Sequence, residues 1–290
     1  MDGSPELGLL EYFTETRYKM WWGRVCSATG EISPSGDRIL DSYRFTNVFR
    51  VTDRVSQALL RVQRRGGDAE EVVMRTLLFK VFNSEKTWGF LEPRGLTEGW
   101  DPDGMKSALD DMKGPRFNGA YMMANPLMGG QKKHHFYVGV LDRVRRYHLS
   151  SILSAKDLRE LYERLLEVPG FGRFLAYQYA TDLNYSEIFR FPEESTVVAG
   201  PGAIRGVRKL YGSVRKPEDK IRELHAYMRE HGPRLLGELP MQLIDVQNVL
   251  CEYDKYTRVL HEEGGRMKER FTPDRRPLPD LMLPSWWGAS

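Results

Sequence analysis

The residues of this chain best equipped for chemistry are carboxylates set among amides and cations. Residues 245–258 read DVQNVLCEYDKYTR, where Asp245, Asn248 and Glu252 recur at i, i+3 and i+7 and so share one face of a helix. Asp254 and Lys255 add to the polar density, and Ile244, Val246, Val249, Leu250 and Tyr253 surround it with apolar groups. Such a stripe could line a pocket; a solvated face has the same pattern. Asp182, beside Thr181 and Asn184, is a further catalytic candidate, with a helix C-terminal contact as its plain alternative. In 43–57, Arg50, Asp53 and Gln57 recur at i, i+3 and i+7, and Asn47 lies at helical spacing from Arg50. An Asn47, Arg50 and Asp53 cluster could read a base edge or hold a phosphate, or be a buried ion pair. Tyr43 and Phe45 could stack on a base or fill a core. Carboxylates in such surroundings stabilise developing positive charge or activate water.

A different chemistry attaches to residues 154–184, SAKDLRELYERLLEVPGFGRFLAYQYATDLN. An amphipathic helix runs to Glu167, a VPGFG turn follows, and a second helix starts at once. Gly170 and Gly172 permit a tight turn and close approach of another surface. The unpaired N–H groups at the start of the second helix form an anion site suited to a DNA phosphate, and Arg173 can add a charge-assisted contact. An αα-corner packed on its glycines is the alternative. Residues 132–176 hold nine Lys/Arg against five acidic residues, and 200–225 hold seven against three. Lys132, Lys133, Arg205 and Lys209 are read from these stretches as phosphate contacts. His134-His135 invite a metal reading, but neighbours on a helix are expected to point apart and no Cys or third His is suitably spaced, so no metal is expected.

The elements that must hold these groups are helical. Periodicity predicts helices over 46–63, 69–83, 136–152, 154–167, 217–231 and 240–260, with Ser154 and Asp157 as a capping box and Pro217 and Pro240 near two of the starts. The 195–198 stretch reads equally as a short strand or a loop. Gly66-Gly67, 91–104, 125–133 and 192–202 read as breaks. After Gly264 the chain is rich in Pro and Arg, and Trp286-Trp287 argue that this tail docks as an extended segment.

Composition bounds the rest. The 290 residues carry 43 Lys+Arg and 40 Asp+Glu, a formal charge of +3, with 41% hydrophobic residues. That excludes a polybasic tail protein, a disordered acidic chain and a collagen-like repeat. Cys26 and Cys251, the 2 cysteines, are too few for a disulfide framework. No apolar run spans a membrane and no secretory leader opens the chain, so a cytoplasmic setting is expected. No GxxxxGK[ST] phosphate loop occurs.

At 44–50 (RFTNVFR), 53–57 (DRVSQ), 168–185 (VPGFGRFLAYQYATDLNY), 199–206 (AGPGAIRG) and 245–258 the chain resembles the helix-hairpin-helix DNA glycosylase superfamily. Within it, the chain is similar to the branch of α-glutamyl/putrescinyl-thymine pyrophosphorylases and the helical domain of hydroxymethyluracil DNA kinases. The resemblance implies an all-α, helix-hairpin-helix DNA glycosylase-like fold with two helical lobes around a cleft. On this reading residues 1–264 form one domain and 265–290 an extended tail. It implies an enzyme that flips a base out of double-stranded DNA. Relatives that also cut the strand carry a Lys where this chain has Phe174, and a catalytic Asp where 198–203 has no carboxylate. Either the chemistry differs or the acid comes from elsewhere, with Asp182, Asp245 and Glu252 as the candidates. The base pocket is expected from Tyr43, Phe45, Asn47, Arg50, Asp53, Gln178, Asn248, Asp254 and Lys255. The expected activity is a monofunctional glycosylase excising a hypermodified pyrimidine, such as a glucosylated hydroxymethyl-pyrimidine, as anti-phage defence. Two alternatives stand beside it: a transferase that replaces pyrophosphate on an activated hydroxymethyluracil with an amine or amino acid, and a DNA-binding module without catalysis. The partner is double-stranded DNA carrying modified bases, and a monomer without cofactor or membrane association is expected.

Overall fold

A computed structural model describes residues 4–27, 29, 34–119, 130–263, 270–271, 278 and 280–288. It is all-helical, with thirteen α-helices and, in place of strands, two isolated bridges among the described residues. Much of the 265–290 tail and residues 120–129 lie outside the described residues. The chain divides into two compact units, Met1–Asp53 with Thr196–Leu281, and Arg54–Ser195 with Met282–Ser290.

The first unit contains α1 (Pro5–Cys26), α2 (Arg38–Ser42), α11 (Pro201–Tyr211), α12 (Pro217–His231) and α13 (Leu243–Leu260). Its packing centres on α11 against α13. The amphipathic α11 turns Ala203 and Val207 inward, and Gly202 and Gly206 lie on the same side, one turn apart. A Cβ on Gly206 would collide with the Leu250 carbonyl, and one on Gly202 with the Cys251 thiol. The missing side chains therefore set the distance between the two helices. Aromatic rings seal the other side of α13: Phe13 of α1 meets Tyr256 at 5.2 Å, Phe45 at 5.6 Å and Tyr253 at 6.4 Å between centroids.

The second unit contains α3 (Arg54–Gln63), α4 (Ala69–Phe82), α5 (Glu85–Leu91), α6 (Pro102–Asp111), α7 (Lys133–Arg143), α8 (Leu149–Leu153), α9 (Leu158–Leu166) and α10 (Arg173–Asn184). Buried apolar residues from α3, α4, α7, α9 and α10 make one continuous core. The paired tryptophans dock here, as their presence in a polar tail implies. Trp286 donates its indole N–H to the Asn184 carbonyl at 3.0 Å, and Trp287 stands edge-on to Tyr185. Gln57, expected to share a face with Arg50 and Asp53, instead exchanges two hydrogen bonds with the Met282 backbone, at 2.8 and 2.9 Å.

Several expected elements are corrected. The 46–63 helix exists only from Arg54; residues 44–49 carry no helix, and a 3₁₀ turn covers Arg50–Thr52. The cause is local competition. Asn47 Nδ2 donates to the Thr52 carbonyl at 2.9 Å, and the Asn47 N–H goes to Asp53 Oδ1 at 2.9 Å, so side chains take the bonds a helix would use. The 154–167 helix begins four residues late. Its cap is Asp157 alone, accepting from the Glu160 N–H at 2.8 Å, while Ser154 Oγ donates back to Ser151. The 136–152 helix is interrupted by a π-helical turn at Val144–His148, after which α8 resumes. Residues 196–200 form no strand, and Pro201, which reads as part of a break, starts α11 at its first turn. Helix α1 went unread because exposed Tyr12 and Trp22 blur its apolar stripe.

The α11–α13 contact yields a stability test. Gly206→Ala should cost about 1–3 kcal/mol, the usual cost of overpacking, read as a lower urea midpoint at unchanged m-value. A neutral result would show that the helices can separate without penalty.

Candidate functional site

The hairpin has the expected geometry. Val168 and Phe171 are buried anchors, the latter edge-on to Tyr179 at 4.8 Å, and the turn closes with the Phe171 N–H donating to the Val168 carbonyl at 3.0 Å. Gly170 sits at φ +97°, where a side chain would be strained, and rests on Phe136 and Val140 of α7. Gly172 caps α10 with no side-chain bond to the first-turn amides. Gly170, Gly172 and Arg173 are all exposed. A helix start with open first-turn amides has the geometry to receive an anion.

The other proposed phosphate contacts already have partners. Lys132 pairs with Asp110 at 2.8 Å, Arg205 with Asp254 at 2.8 Å and Lys209 with Glu263 at 2.6 Å. Lys133 lies over the Phe117 ring at 4.6 Å. The Lys132 and Lys209 pairs are partly exposed and contribute little, about 0–1 kcal/mol, so a phosphate can replace the carboxylate there at small cost, whereas Arg205 holds a buried carboxylate that it would leave to Arg258 alone.

In the first unit the stripe on α13 is real, and it faces the 44–53 segment. Asp245 Oδ1 accepts the Arg50 N–H at 2.7 Å, and Oδ2 accepts the Gln242 N–H at 2.8 Å, closing a capping box. Asn248 Nδ2 donates to Thr46 Oγ1 at 3.1 Å. Glu252 Oε2 accepts the Thr46 N–H at 3.2 Å and the Lys255 ammonium at 3.0 Å. Lys255 also donates to the Arg44 carbonyl and lies over Phe45. Arg17 of α1 completes the group, donating to Asn47 Oδ1 at 2.7 Å and to the Phe45 carbonyl at 3.3 Å. The Asn47, Arg50 and Asp53 cluster therefore forms, though through a turn and not the predicted helix face.

Electrostatics in this group follow from burial. Arg50 is 2% exposed, with Asp53 and Asp245 as its carboxylate neighbours. Burial pushes the Asp245 carboxyl up to about 7, against two backbone donors and Arg50, which favour its charge. Burial likewise pushes Asp53 up to about 6, opposed by the Asn47 N–H, Arg50 and Arg17. Asp245 is 1% exposed with both oxygens engaged, the position of a strut. Asp53 is partly exposed. A carboxyl titrating near neutrality at such a place can gain or lose a proton in a reaction.

The remaining candidates are placed as follows. Asp182 of α10 is fully buried in the second unit, its Oδ2 3.2 Å from the Lys80 ammonium, which also donates to Asn83 Oδ1 at 2.6 Å. Its backbone carbonyl accepts from Gln63 at 2.8 Å. Its side chain is the carboxylate of a buried ion pair, and its carbonyl also accepts the Tyr185 N–H at 3.3 Å where α10 ends. Gln178 is buried on the same helix. Asp254 is buried between Arg205 and Arg258. Phe45 belongs to the aromatic core around Phe13, and Tyr43 is covered by Arg270, 5.4 Å from its ring. His134 and His135 do not point apart: at the first turn of α7 both Nε2 atoms reach Asp110 Oδ1, at 2.8 and 3.1 Å.

Lys80, Arg17 and Asp110 escaped the sequence reading. Lys80 carried a signal, a lone charge in the apolar run 76–82 (TLLFKVF). Arg17 carried none, since its helix was unread.

A family described as "5-hmdU DNA kinase, helical domain" matches residues 5–266. The chain belongs to this family. A relative named "5-hmdU DNA kinase", from Bacillus phage SP10, is 22% identical over 223 residues, which are 67% of this chain and 34% of that protein. The chain thus spans about a third of the length of the curated relative. No solved structure matches. Every α-helix described above falls inside the matched range. Among the described residues no helix is long and apolar enough to cross a membrane.

Two outcomes test the electrostatics. Asp53 and Asp245 titrate above the ordinary 3.8, so the folded chain holds protons the unfolded chain has released. Their contribution to stability is fully present below about pH 4, falls as pH rises through about 6 and 7, and is flat above. Urea midpoints of the wild type and of Asp53→Asn between pH 4 and 8 should show the variant gaining relative stability as pH rises; parallel curves refute the assignment. Separately, Lys80→Met should cost about 3–5 kcal/mol by stranding the Asp182 charge, and Lys80→Met with Asp182→Leu should recover much of it in thermal melts.

Proposed function

We propose that this helical domain works on a modified pyrimidine, 5-hydroxymethylated or further derivatised, held in double-stranded DNA and rotated out of the stack. The proposed reaction is hydrolysis of the glycosidic bond. Water adds to C1′, the bond from C1′ to the base nitrogen breaks, the base leaves with a proton, and an abasic site remains. The observation that supports it most is a partly exposed Asp53 whose carboxyl is raised to about 6 beside Arg50 and Arg17. Asp53 accepts the proton of water or stabilises the cationic sugar. The exposed hairpin at 168–172 supplies the phosphate contact that fixes the duplex. The absence of a phosphate-loop motif and membership of a modified-base family fit base-directed chemistry in this chain. Recognition of a base found in phage DNA fits a role in defence against phages.

One observation favours a second reading, transfer of an amine or amino acid in place of pyrophosphate: the family is named for an enzyme that modifies DNA, not one that repairs it. The two readings and simple binding separate in one experiment. Duplexes carrying 5-hydroxymethyluracil, 5-hydroxymethylcytosine or its glucosylated form are incubated with the chain, with and without an amine donor. Free base with alkali-labile sites, without amine, is the expected result. Pyrophosphate release that needs an amine and an activated base assigns the transferase. Retained binding with unchanged DNA reduces the chain to a module. Asp53→Asn should slow the reaction by about 10²- to 10⁴-fold. Arg173→Ala should weaken binding to all sequences and lower the salt slope by about one.

A further inference from the structure

The strongest cluster outside the carboxylate stripe lies where α6 ends and α7 begins. Asp110 comes from the last turn of α6, and His134 and His135 from the first turn of α7. The nearest ligand atoms of all three residues lie within 4.8 Å of one another. His134 is almost wholly covered, with a side chain 8% exposed, whereas Asp110 and His135 keep 30% and 28%. The two rings stand edge to face, 4.7 Å between centroids, so that both Nε2 atoms aim at one point.

We propose that Asp110, His134 and His135 form a binding site for a divalent transition-metal ion, zinc by ligand preference. Two imidazoles and one carboxylate are a ligand set of that class, and three protein ligands leave a position open to water. The spacing is close to what the ion requires. Bonds of about 2.0–2.2 Å put tetrahedral ligand atoms about 3.3 Å apart. Asp110 Oδ1 lies 2.8 and 3.1 Å from the two Nε2 atoms, so the ligands need to open by only a few tenths of an ångström. A simple hydrogen-bonded clasp would be better served by using both carboxylate oxygens, each with two lone pairs. Here His134, His135 and Lys132 all converge on Oδ1.

Lys132 is the element that opposes a cation. Its ammonium sits 2.8 Å from the same oxygen, on a side chain 58% exposed and free to swing into water. Metal entry therefore exchanges one positive charge at Asp110 for another. Removing the ammonium should favour the metal, whereas in a pure clasp it would only remove a bond.

The experiment uses the full chain without an affinity tag, dialysed against EDTA and titrated with Zn²⁺ by calorimetry. Co²⁺ serves as the visible probe of a tetrahedral site. The expected result is one equivalent bound. Affinity should be reduced about tenfold or more in Asp110→Asn and in His135→Gln, and increased in Lys132→Met. His148→Gln, remote in sequence, should bind as the wild type does. Far-UV dichroism confirms that each variant is folded, and the partly exposed His135 carries the test if His134→Ala does not fold. Absence of stoichiometric binding overturns the proposal. So does binding unchanged in Asp110→Asn and His135→Gln, or binding that is lost instead in Cys26→Ser or Cys251→Ser.

Discussion

The first unit depends on side chains of α13 satisfying the backbone of residues 44–53. Apart from the 3₁₀ turn at Arg50–Thr52, that segment has no helix or strand to occupy its N–H groups, and buried amides without partners are costly. Glu252 takes the Thr46 N–H, Asp53 the Asn47 N–H and Asp245 the Arg50 N–H. The loop is therefore shaped by carboxylates, and the carboxylates are brought together by the loop. Arg50 and Arg17 follow as the cations that make so much negative charge tolerable in a buried place. The same arrangement that holds the chain in shape raises the Asp53 carboxyl to about 6, on a residue that keeps some exposure.

In the second unit Lys80 and Asp182 form a buried ion pair, with Asn83, Gln63 and Thr76 taking further polar groups. The hairpin has the reverse design. Its apolar residues, Val168 and Phe171, are sunk into the core, and its polar backbone is presented outward. A rigid apolar anchor under an exposed amide cradle has the geometry to receive an anion without a flexible side chain.

How much of this could be read from residues alone depended on range. Contacts within one helix were legible: the Asp245, Asn248 and Glu252 stripe and the 217–231 helix follow from spacing, and the hairpin follows from its glycines. Competition between side chain and backbone was not. Asn47 and Asp53 sit at helical spacing, yet their own hydrogen bonds dismantle the helix that the spacing predicts. Partners distant in sequence were also hidden, because nothing near residue 182 announces Lys80, and nothing near residue 134 announces Asp110. The histidine pair shows the limit of rules for regular helices, since the first turn gives two adjacent rings enough freedom to meet at one oxygen.

The π-helical turn at Val144–His148 ties the surface to chain length. A π turn holds one residue more than an α turn, and each residue advances an α-helix by about 100°. The extra residue sets which way everything after it faces, including exposed Tyr147 and the α8 helix whose Ser151 meets Arg164 of α9 at 2.8 Å. Substitutions at exposed Arg145, Arg146 and Tyr147 leave this register alone, but a single insertion or deletion there would turn the whole following face. In this stretch the number of residues is under stricter constraint than their identity.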